Sequence, residues 1–469
     1  MNFPRILVAG LRGSSGKTLI ALGVIAAWTE RGYRVAPYKK GPDYIDAAWL
    51  SVAGKTACRN LDLFMMSPQA IVRSFATSAR GADLAVIEGN RGLFDGLDAQ
   101  GSCSTAELAK VLQSPVVLAV DCTKSIRTVA ATILGCQRLD PQVPIQAVIL
   151  NQVAGPRHES VVREAVAEVC GLPVLGAIPR LRDHLFPERH MGLVPPQEHD
   201  QVPRAVRQAA DMARQYLDLD ALERLAQQAP AFDPAAIETP ANASADTPAL
   251  ARIGVFRDAA FQFYYPENLE ALVRQGARLV EISPLGDAQL PEVDALYIGG
   301  GFPETAGLAV AENQPFLHSV RRAVEQGLPI YAECGGAVFL GDSLVVEDRR
   351  YPMAGILPVD FAFGAKRLGH GYTELETVED NPFFPVGTTL RGHEFHYTYM
   401  QPSPRKDLKF AFRVRRGYAF DGQRDGLSQG NVLACYTHVH ALGVESWAPA
   451  LVQAAVKFKS RAAEPQQVS

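Results

Sequence analysis

Short apolar runs alternate with longer segments of helical period along the first half of the chain. Residues 5–9, 34–38, 84–87, 116–120, 147–150 and 174–178 are largely apolar, with little polar alternation inside them. Continuous apolar runs of this length suit strands covered on both faces. The stretches between them, such as residues 19–31, place apolar side chains at helical spacing. Strands alternating with helices predict an α/β fold, a parallel sheet with helices on both faces. The pattern breaks at "QQAPAFDPAAIETPANASADTPA", which starts at Gln227 and has few large apolar residues. Residues 227–250 therefore read as a linker. Strands return at 251–256, 278–282, 295–298 and 329–333, with a helix at 265–275 that Gly276 stops. The expected organisation is a first domain over 1–226, a second α/β domain over 251–460 and a loose tail over 461–469.

Composition adds bounds. A chain of 469 residues is too long for one ordinary core, in keeping with two domains. The net charge of −4 gives no electrostatic reason to expect a nucleic-acid or membrane-surface partner. No apolar run is long enough to span a bilayer. The seven cysteines are scattered without metal-type spacing, so they read as small core residues and reduced thiols. The first residues lead into a strand without the charged and apolar regions of a signal peptide. The expectation is a cytoplasmic protein with no nucleic-acid and no membrane partner.

Candidate chemistry gathers where strands end. "GLRGSSGKT", Gly10 to Thr18, joins the first strand to the first helix. Backbone N–H groups of Gly13, Ser14, Ser15 and Gly16, with the helix N-terminus behind them, suit phosphate oxygens. Lys17 would reach the terminal phosphates and the Thr18 hydroxyl would ligate Mg²⁺. The spacing is shifted, because Leu11 stands where the first glycine belongs. "YKKGPDYID" brings Lys39, Asp43 and Asp46 to the end of the next strand, and "EGNRGLFDG" brings Glu88 and Asp95 to another. Open α/β sheets bind ligands at that end, so the three turns are expected to face one cleft. Asp121 joins either a Mg²⁺ network or a helix cap. Asn151 either reads a purine edge or caps a loop.

The second half carries a nucleophile pattern. "YAECGGAVFLG" sets Cys334 between a strand and a helix, followed by two glycines. That is the arrangement of a nucleophile elbow, and a helix N-terminus favours the thiolate. The glycine run of "YIGGGFPE" supplies candidate oxyanion donors at Gly300 and Gly301, joined by Gly335. "YTHVHALG" offers His438 as the base, with His440 as an orienter or, alternatively, as a structural or metal-binding residue.

With both sites in view, the chain resembles the cobyrinic acid a,c-diamide synthase family. The resemblance rests on "KKGPDYID", "EGNRGLFDG", "RDAAFQFYYPENLEAL", "GGGFPE", "AECGG", "GHGYTE", "GHEFHY" and "YTHVH", in that order. The first half is similar to dethiobiotin synthetase, whose phosphate loop has the same shifted spacing. The second half resembles a class I glutamine amidotransferase domain. The resemblance implies ATP- and glutamine-dependent amidation of the a and c acetate carboxylates of a tetrapyrrole, through an acyl phosphate. It implies Asp43, Asp46, Glu88 and Asp95 as synthetase carboxylates, with Thr18, Asp43 and Glu88 as Mg²⁺ ligands. Lys39 joins Lys17 at the phosphates of ATP. Cys334 and His438 carry the glutaminase. The implied partners are small molecules, namely the tetrapyrrole carboxylate, glutamine and ATP; a homodimer is one expectation for the assembly.

The chain departs from the family in two places. The glutamate expected beside the glutaminase histidine has no match, since Val439 and His440 follow His438. Family members commonly read "EGVMGLFDG", where this chain has Asn90 and Arg91. That form is similar to a branch that amidates sirohaem, which stays open as an alternative. Cobyric acid synthase and a ParA-like nucleotide switch are the other readings.

Overall fold

A computed structural model describes residues 2–181, 188–189, 192–199, 201–232, 249–302, 305–364, 366–401 and 408–463. The chain divides into two units, Met1–Pro240 and Ala241–Ser469. In the first, the elements run β1 Arg5–Gly10, α1 Lys17–Glu30, β2 Val35–Lys40, α2 Tyr44–Gly54, β3 Arg59–Leu61, α3 Pro68–Ser78 and β4 Leu84–Glu88. They continue as α4 Thr105–Val111, β5 Val116–Asp121, α5 Arg127–Leu139, β6 Ile145–Val153, α6 Pro156–Cys170 and β7 Val174–Pro179. A short hairpin of β8 Glu188–Arg189 and β9 Gly192–Leu193 follows, then α7 Val202–Tyr216 and α8 Leu219–Gln227.

The apolar runs form the predicted sheet. Seven strands pair in the order β3-β2-β4-β1-β5-β6-β7, and every pairing is parallel. β1 and β2 are buried along their whole length, as strands covered on both faces must be. The chain steps from β1 to β2 on one side of the sheet and from β4 to β5 across β1 to the other. That reversal opens a crevice at the carboxyl ends of the strands around β1. Phosphate-loop, lysine and carboxylate candidates all stand there.

Arg5 opens β1 and is fully buried. Among the described residues its guanidinium has no carboxylate partner. It donates instead to the carbonyls of Leu112 (2.8 Å), Phe3 (2.9 Å) and Pro230 (2.7 Å), and it lies 4.3 Å from the Phe232 ring centroid. Burial pulls its pKa down to about 10, which still leaves it charged near neutrality. Phe232 also packs against Phe3 and Phe75. The start of the expected linker is therefore docked on the first unit; residues 233–248 of that expectation lie outside the described residues.

The second unit begins with β10 Ala251–Phe256, α9 Pro266–Arg274, β11 Ala277–Ile282, β12 Ala295–Ile298, α10 Gly307–Glu312, α11 Gln314–Glu325, β13 Ile330–Glu333 and α12 Gly335–Leu340. There follow β14 Ser343–Val346, β15 Arg349–Pro352, β16 Asp360–Phe363, β17 Gly369–Thr377, β18 Thr389–His396 and β19 Thr398–Met400. The last are β20 Lys409–Arg416, β21 Arg424–Gln429, β22 Val432–Cys435, β23 His438–Val439 and α13 Trp447–Ala463. Ten strands pair in the order β11-β10-β12-β13-β22-β21-β20-β17-β18-β23. The β11 to β22 portion is parallel and the remainder antiparallel. A smaller sheet, β15-β14-β16-β19, stands apart from it. α13 runs through residues 461–463, which the sequence pattern placed in a tail; 464–469 lie outside the described residues. Among the described residues no helix is long and apolar enough to cross a membrane.

Replacing Arg5 with leucine should leave its acceptor carbonyls buried and unpaired. The first unit should lose about 2–4 kcal/mol, read as an earlier unfolding transition in denaturant. An unmoved midpoint would mean that those carbonyls find other donors.

Candidate functional site

The phosphate loop is shaped by close contacts. Gly16 precedes α1 with φ of 89°, in the left-handed region. A Cβ there would run into the Asn151 amide. Asn151 donates from Nδ2 to the Ser15 carbonyl (3.0 Å) and accepts at Oδ1 from the Gln152 N–H (3.0 Å). These bonds anchor the loop. Ser15 is buried and its hydroxyl donates to the Arg12 carbonyl (2.9 Å). Ser14 has φ of 57°, while Gly13 stands in open space. Lys17 is 7% exposed and folds back onto the Arg12 carbonyl (3.2 Å). Burial lowers its pKa, while Glu88 opposes that shift.

Beside the loop, charges from three strand ends converge. Thr18 donates to Glu88 Oε1 at 2.6 Å, and Lys39 Nζ donates to the same oxygen at 2.8 Å. Lys39 also pairs with Asp46 at 2.6 Å. β2 and β4 are neighbours in register, Lys39 opposite Glu88, which is how the sheet sets this pair. Burial works against the Lys39 ammonium, but Asp46, Glu88 and Asp43 outweigh it and raise the pKa. Burial pushes Glu88 up to about 7, with Lys39 pulling the other way. Asp43, pushed up to about 6 by burial and Asp46, caps α2 by accepting from the Asp46 N–H (2.8 Å). Among the described residues the buried Glu88 Oε2 has no hydrogen-bond partner, so one oxygen of the cluster is available to an added cation or donor.

Two candidates stand aside from this cluster. Asp95 is exposed and caps its own turn, accepting from the Gly92 N–H (2.8 Å); its charge still reaches Lys17. Asp121 pairs with Arg12 (2.6 Å) and accepts from the Thr123 N–H (2.9 Å) in the turn after β5; α5 starts at Arg127 with Ile126 at its N-cap, so Asp121 does not cap that helix.

In the second unit, the nucleophile candidate sits on strained backbone. Cys334 joins β13 to α12 with φ of 50° and ψ of −104°. A residue with a side chain rarely adopts that conformation, and it marks a nucleophile elbow. The turn is held by the Cys334 N–H donating to the Cys435 carbonyl (2.7 Å). Cys334 is 6% exposed. Among the described residues the N–H groups of Gly301 and Gly335 donate to no protein acceptor, which leaves them available to an oxyanion. Pro303 and Glu304 of "GGGFPE" lie outside the described residues.

The carboxylate beside His438 is Glu333, which the sequence reading did not name. Its Oε2 lies 3.3 Å from His438 Nδ1, and its Oε1 accepts from the Val439 N–H (3.1 Å). Tyr297 donates to Oε2 as well, at 3.3 Å. A carboxylate at Nδ1 leaves Nε2 to face the reacting atoms. That side of the ring lies against Gly300, where a Cβ would stand 2.5 Å from Cε1 and 3.3 Å from Nε2. His440, expected as an orienter, looks elsewhere. The Leu442 N–H donates to its Nδ1 (3.2 Å), so Nε2 carries the proton and faces Glu267 at 3.6 Å. His393, also missed, stacks on His438 with ring centroids 4.9 Å apart. Burial, with His438 beside it, holds the His393 pKa well below the ordinary histidine value. A neutral ring against His438 adds no competing charge. The signal for Glu333 was a lone carboxylate ending an otherwise apolar strand, one residue before the nucleophile. No two of the seven cysteines are joined by a disulfide.

Comparison with known proteins agrees with both halves. Residues 6–194 match the CobQ/CobB/MinD/ParA nucleotide binding domain, and residues 252–445 match the CobB/CobQ-like glutamine amidotransferase domain. The chain is 43% identical to a cobyrinate a,c-diamide synthase of Magnetococcus marinus, over 96% of this chain and 97% of the relative. It is 39% identical to one of Archaeoglobus fulgidus, over 98% and 99%. One from Dehalococcoides mccartyi is also 39% identical, over 94% of this chain and 96% of the relative.

Replacing Glu333 with glutamine should preserve shape but lose the charge that holds the His438 tautomer. Glutamine hydrolysis should fall by about 10²–10⁴-fold with the fold intact by circular dichroism. Near-normal turnover would remove Glu333 from the catalytic set. Glu88 yields a second expectation. Its proton is held more tightly in the folded chain (about 7) than at the ordinary carboxyl value of 4.5. The folded state therefore binds more protons between those values, and stability falls as pH rises through that window. Denaturation of ligand-free protein across this range should show that slope, and Glu88→Gln should flatten it. The same slope in both proteins would contradict the assignment.

Proposed function

Because the chain belongs to the cobyrinate a,c-diamide synthase family, we propose that it converts acetate carboxylates of a cobyrinic-acid-type tetrapyrrole into amides, using ATP and glutamine. It is an ATP-dependent carbon–nitrogen ligase that takes its nitrogen from glutamine. The observation that carries the reading is the strained Cys334 elbow with a carboxylate-held histidine, in a chain that also has a nucleotide-binding domain. A nucleotide switch needs no such nucleophile.

A carboxylate is a poor acyl electrophile, so the first step is activation. The acceptor oxygen attacks the γ-phosphorus of ATP, ADP leaves, and an acyl phosphate forms. Lys17, once turned from the Arg12 carbonyl, and Lys39 offset charge on the transferring group. The raised pKa of Lys39 keeps it an ammonium throughout. Thr18, Glu88 and Asp43 are the oxygen donors that would hold Mg²⁺: among the described residues Glu88 Oε2 has no hydrogen-bond partner, the Thr18 hydroxyl bonds Glu88 Oε1, and the Asp43 charge reaches Lys39. Bound there, it would supply charge compensation to the phosphates. Asp46 holds Lys39 in place. Asp95, exposed at the mouth of its turn, positions the acceptor and the incoming ammonia. Ammonia then attacks the acyl carbon and expels phosphate, giving the amide.

The ammonia comes from the second unit. The Cys334 thiolate attacks the carboxamide carbon of glutamine, and the N–H groups of Gly300, Gly301 and Gly335 receive the oxyanion. His438 gives its Nε2 proton to the departing ammonia, with Glu333 holding the imidazolium form. Water, deprotonated by His438, clears the thioester as glutamate.

Cys334→Ala should abolish amide formation with glutamine while keeping synthesis with ammonium salts. Mass spectrometry of products from cobyrinic acid and from sirohaem counts the amides, since each replaces OH by NH₂. Loss of both nitrogen sources would sink the two-site reading, and amidation of sirohaem alone would move the acceptor to that branch.

A further inference from the structure

Two lysines end β2, and only one of them joins the cluster around Glu88. Successive side chains of a strand leave opposite faces. Lys39 turns to Asp46 and Glu88, so Lys40 leaves from the other face of the sheet. There it is 5% exposed. Among the described residues it makes no hydrogen bond and no ion pair. A buried ammonium without an acceptor is costly, so a structure that keeps one points to a missing partner. Asp62, whose charge reaches Lys40, is engaged by its own turn. Its Oδ1 accepts the N–H groups of Phe64 (2.8 Å) and Met65 (3.0 Å).

The next turn adds a second cation. Arg91 is exposed, has φ of 51°, and among the described residues makes no hydrogen bond or ion pair. It too is within electrostatic reach of Lys40. A Cβ on Gly41, the residue after Lys40, would lie 2.9 Å from the Asn90 amide nitrogen. The turn bearing Asn90 and Arg91 therefore abuts the turn that follows Lys40. Two cations facing one engaged carboxylate leave an excess of positive charge at the strand ends. Burial draws the Lys40 pKa below the ordinary lysine value, and Asp62 only partly opposes this.

We propose that Lys40 and Arg91 hold a carboxylate of the acceptor that is not being activated, while another reacts beside Glu88 and Lys39. The inference rests on the amidation reading above and deepens it: the acceptor must be a polycarboxylate, and this pair sets which of its acid groups is presented. A nucleotide phosphate has similar oxygen chemistry. The phosphate loop, however, lies with Lys17, Glu88 and Lys39, whereas Lys40 leaves from the opposite face.

The test uses the full chain and three variants, Lys40→Met, Lys40→Arg and Arg91→Met. Lys40→Met should raise KM for cobyrinic acid by at least about tenfold, the scale of a charge-assisted hydrogen bond, with the smaller share of the loss in kcat. Lys40→Arg should restore most of it, and Arg91→Met should show a smaller rise. Ligand-free Lys40→Met should melt at or above the wild-type temperature, because an unpaired buried charge has gone. A lower melting temperature with unchanged KM would make Lys40 structural and overturn the proposal. A rise in KM for ATP instead of the acceptor would assign the anion to the nucleotide and overturn it also. The function and the site fail separately. If wild-type protein amidates no tetrapyrrole, the function is lost, and calorimetric titration with citrate, a tricarboxylate, still reads the site without turnover. Equal citrate affinity in wild type and Lys40→Met would then overturn the anion site.

Discussion

The first unit is organised around one buried ammonium group. Lys39 is shared between Glu88 and Asp46, with the Thr18 hydroxyl on the same Glu88 oxygen. Carboxylates and a lysine at the ends of buried strands cannot be solvated, so each must be matched or remain neutral. The parallel register of β2 and β4 provides the match by setting Lys39 opposite Glu88. The bond from Thr18 then fixes the first turn of α1 relative to β4, and so places the phosphate loop. Burial, with Asp46 beside them, raises the pKa of Glu88 and of Asp43, while the carboxylates around Lys39 outweigh its burial and raise its pKa too. The cluster is poised to accept further positive charge.

The second unit uses strain where the first uses charge. The positive φ of Cys334 is tolerated because the β13–β22 pairing and the Cys435 carbonyl fix the chain on both sides of the turn. The same pairing carries Glu333 to the neighbourhood of His438, since β22 leads into β23 two residues later. Glu333 and Cys334 thus stand at the end of β13, and His438 follows the neighbouring β22 on β23, which itself pairs with β18. A carboxylate placed before the nucleophile takes the work that the sequence reading sought after the histidine.

What could be read from the chain alone follows from this. The parallel strands β1, β2, β4 to β7 and β10 to β13 were legible because they write short, mostly apolar runs, whereas the buried β22 was not read as a strand. β3 is three residues long and begins with Arg59 and Asn60, so it leaves no such run. β18 carries buried His393, Glu394 and His396 after Gly392, and β17 opens with Gly369 and Gly371, which hides the period of both strands. The phosphate loop and the elbow were legible because each is a local turn with its chemistry inside a few residues. The Glu333–His438 pair spans 105 residues and exists only through strand order, which no local pattern contains. Asn151 was placed at the correct strand end, but its bond to the Ser15 carbonyl could not be seen without the loop's path.

Lys39 and Lys40 then show two solutions to one problem on one strand. Lys39 is matched within the chain, and the match builds the site. Lys40 makes no ion pair among the described residues; the charge of Asp62, whose Oδ1 is tied to its own turn, offsets it only in part, and Arg91 adds to the positive charge. Stability alone would favour an apolar residue at such a position, because removing an unpaired buried charge costs the fold nothing and relieves desolvation. Keeping a lysine there is therefore a constraint from outside the folded chain. The same reasoning applies to Arg91, whose backbone sits where glycine or asparagine would be easier. Two locally unfavourable residues on abutting turns, both cationic, are what a site selected for an anion leaves behind.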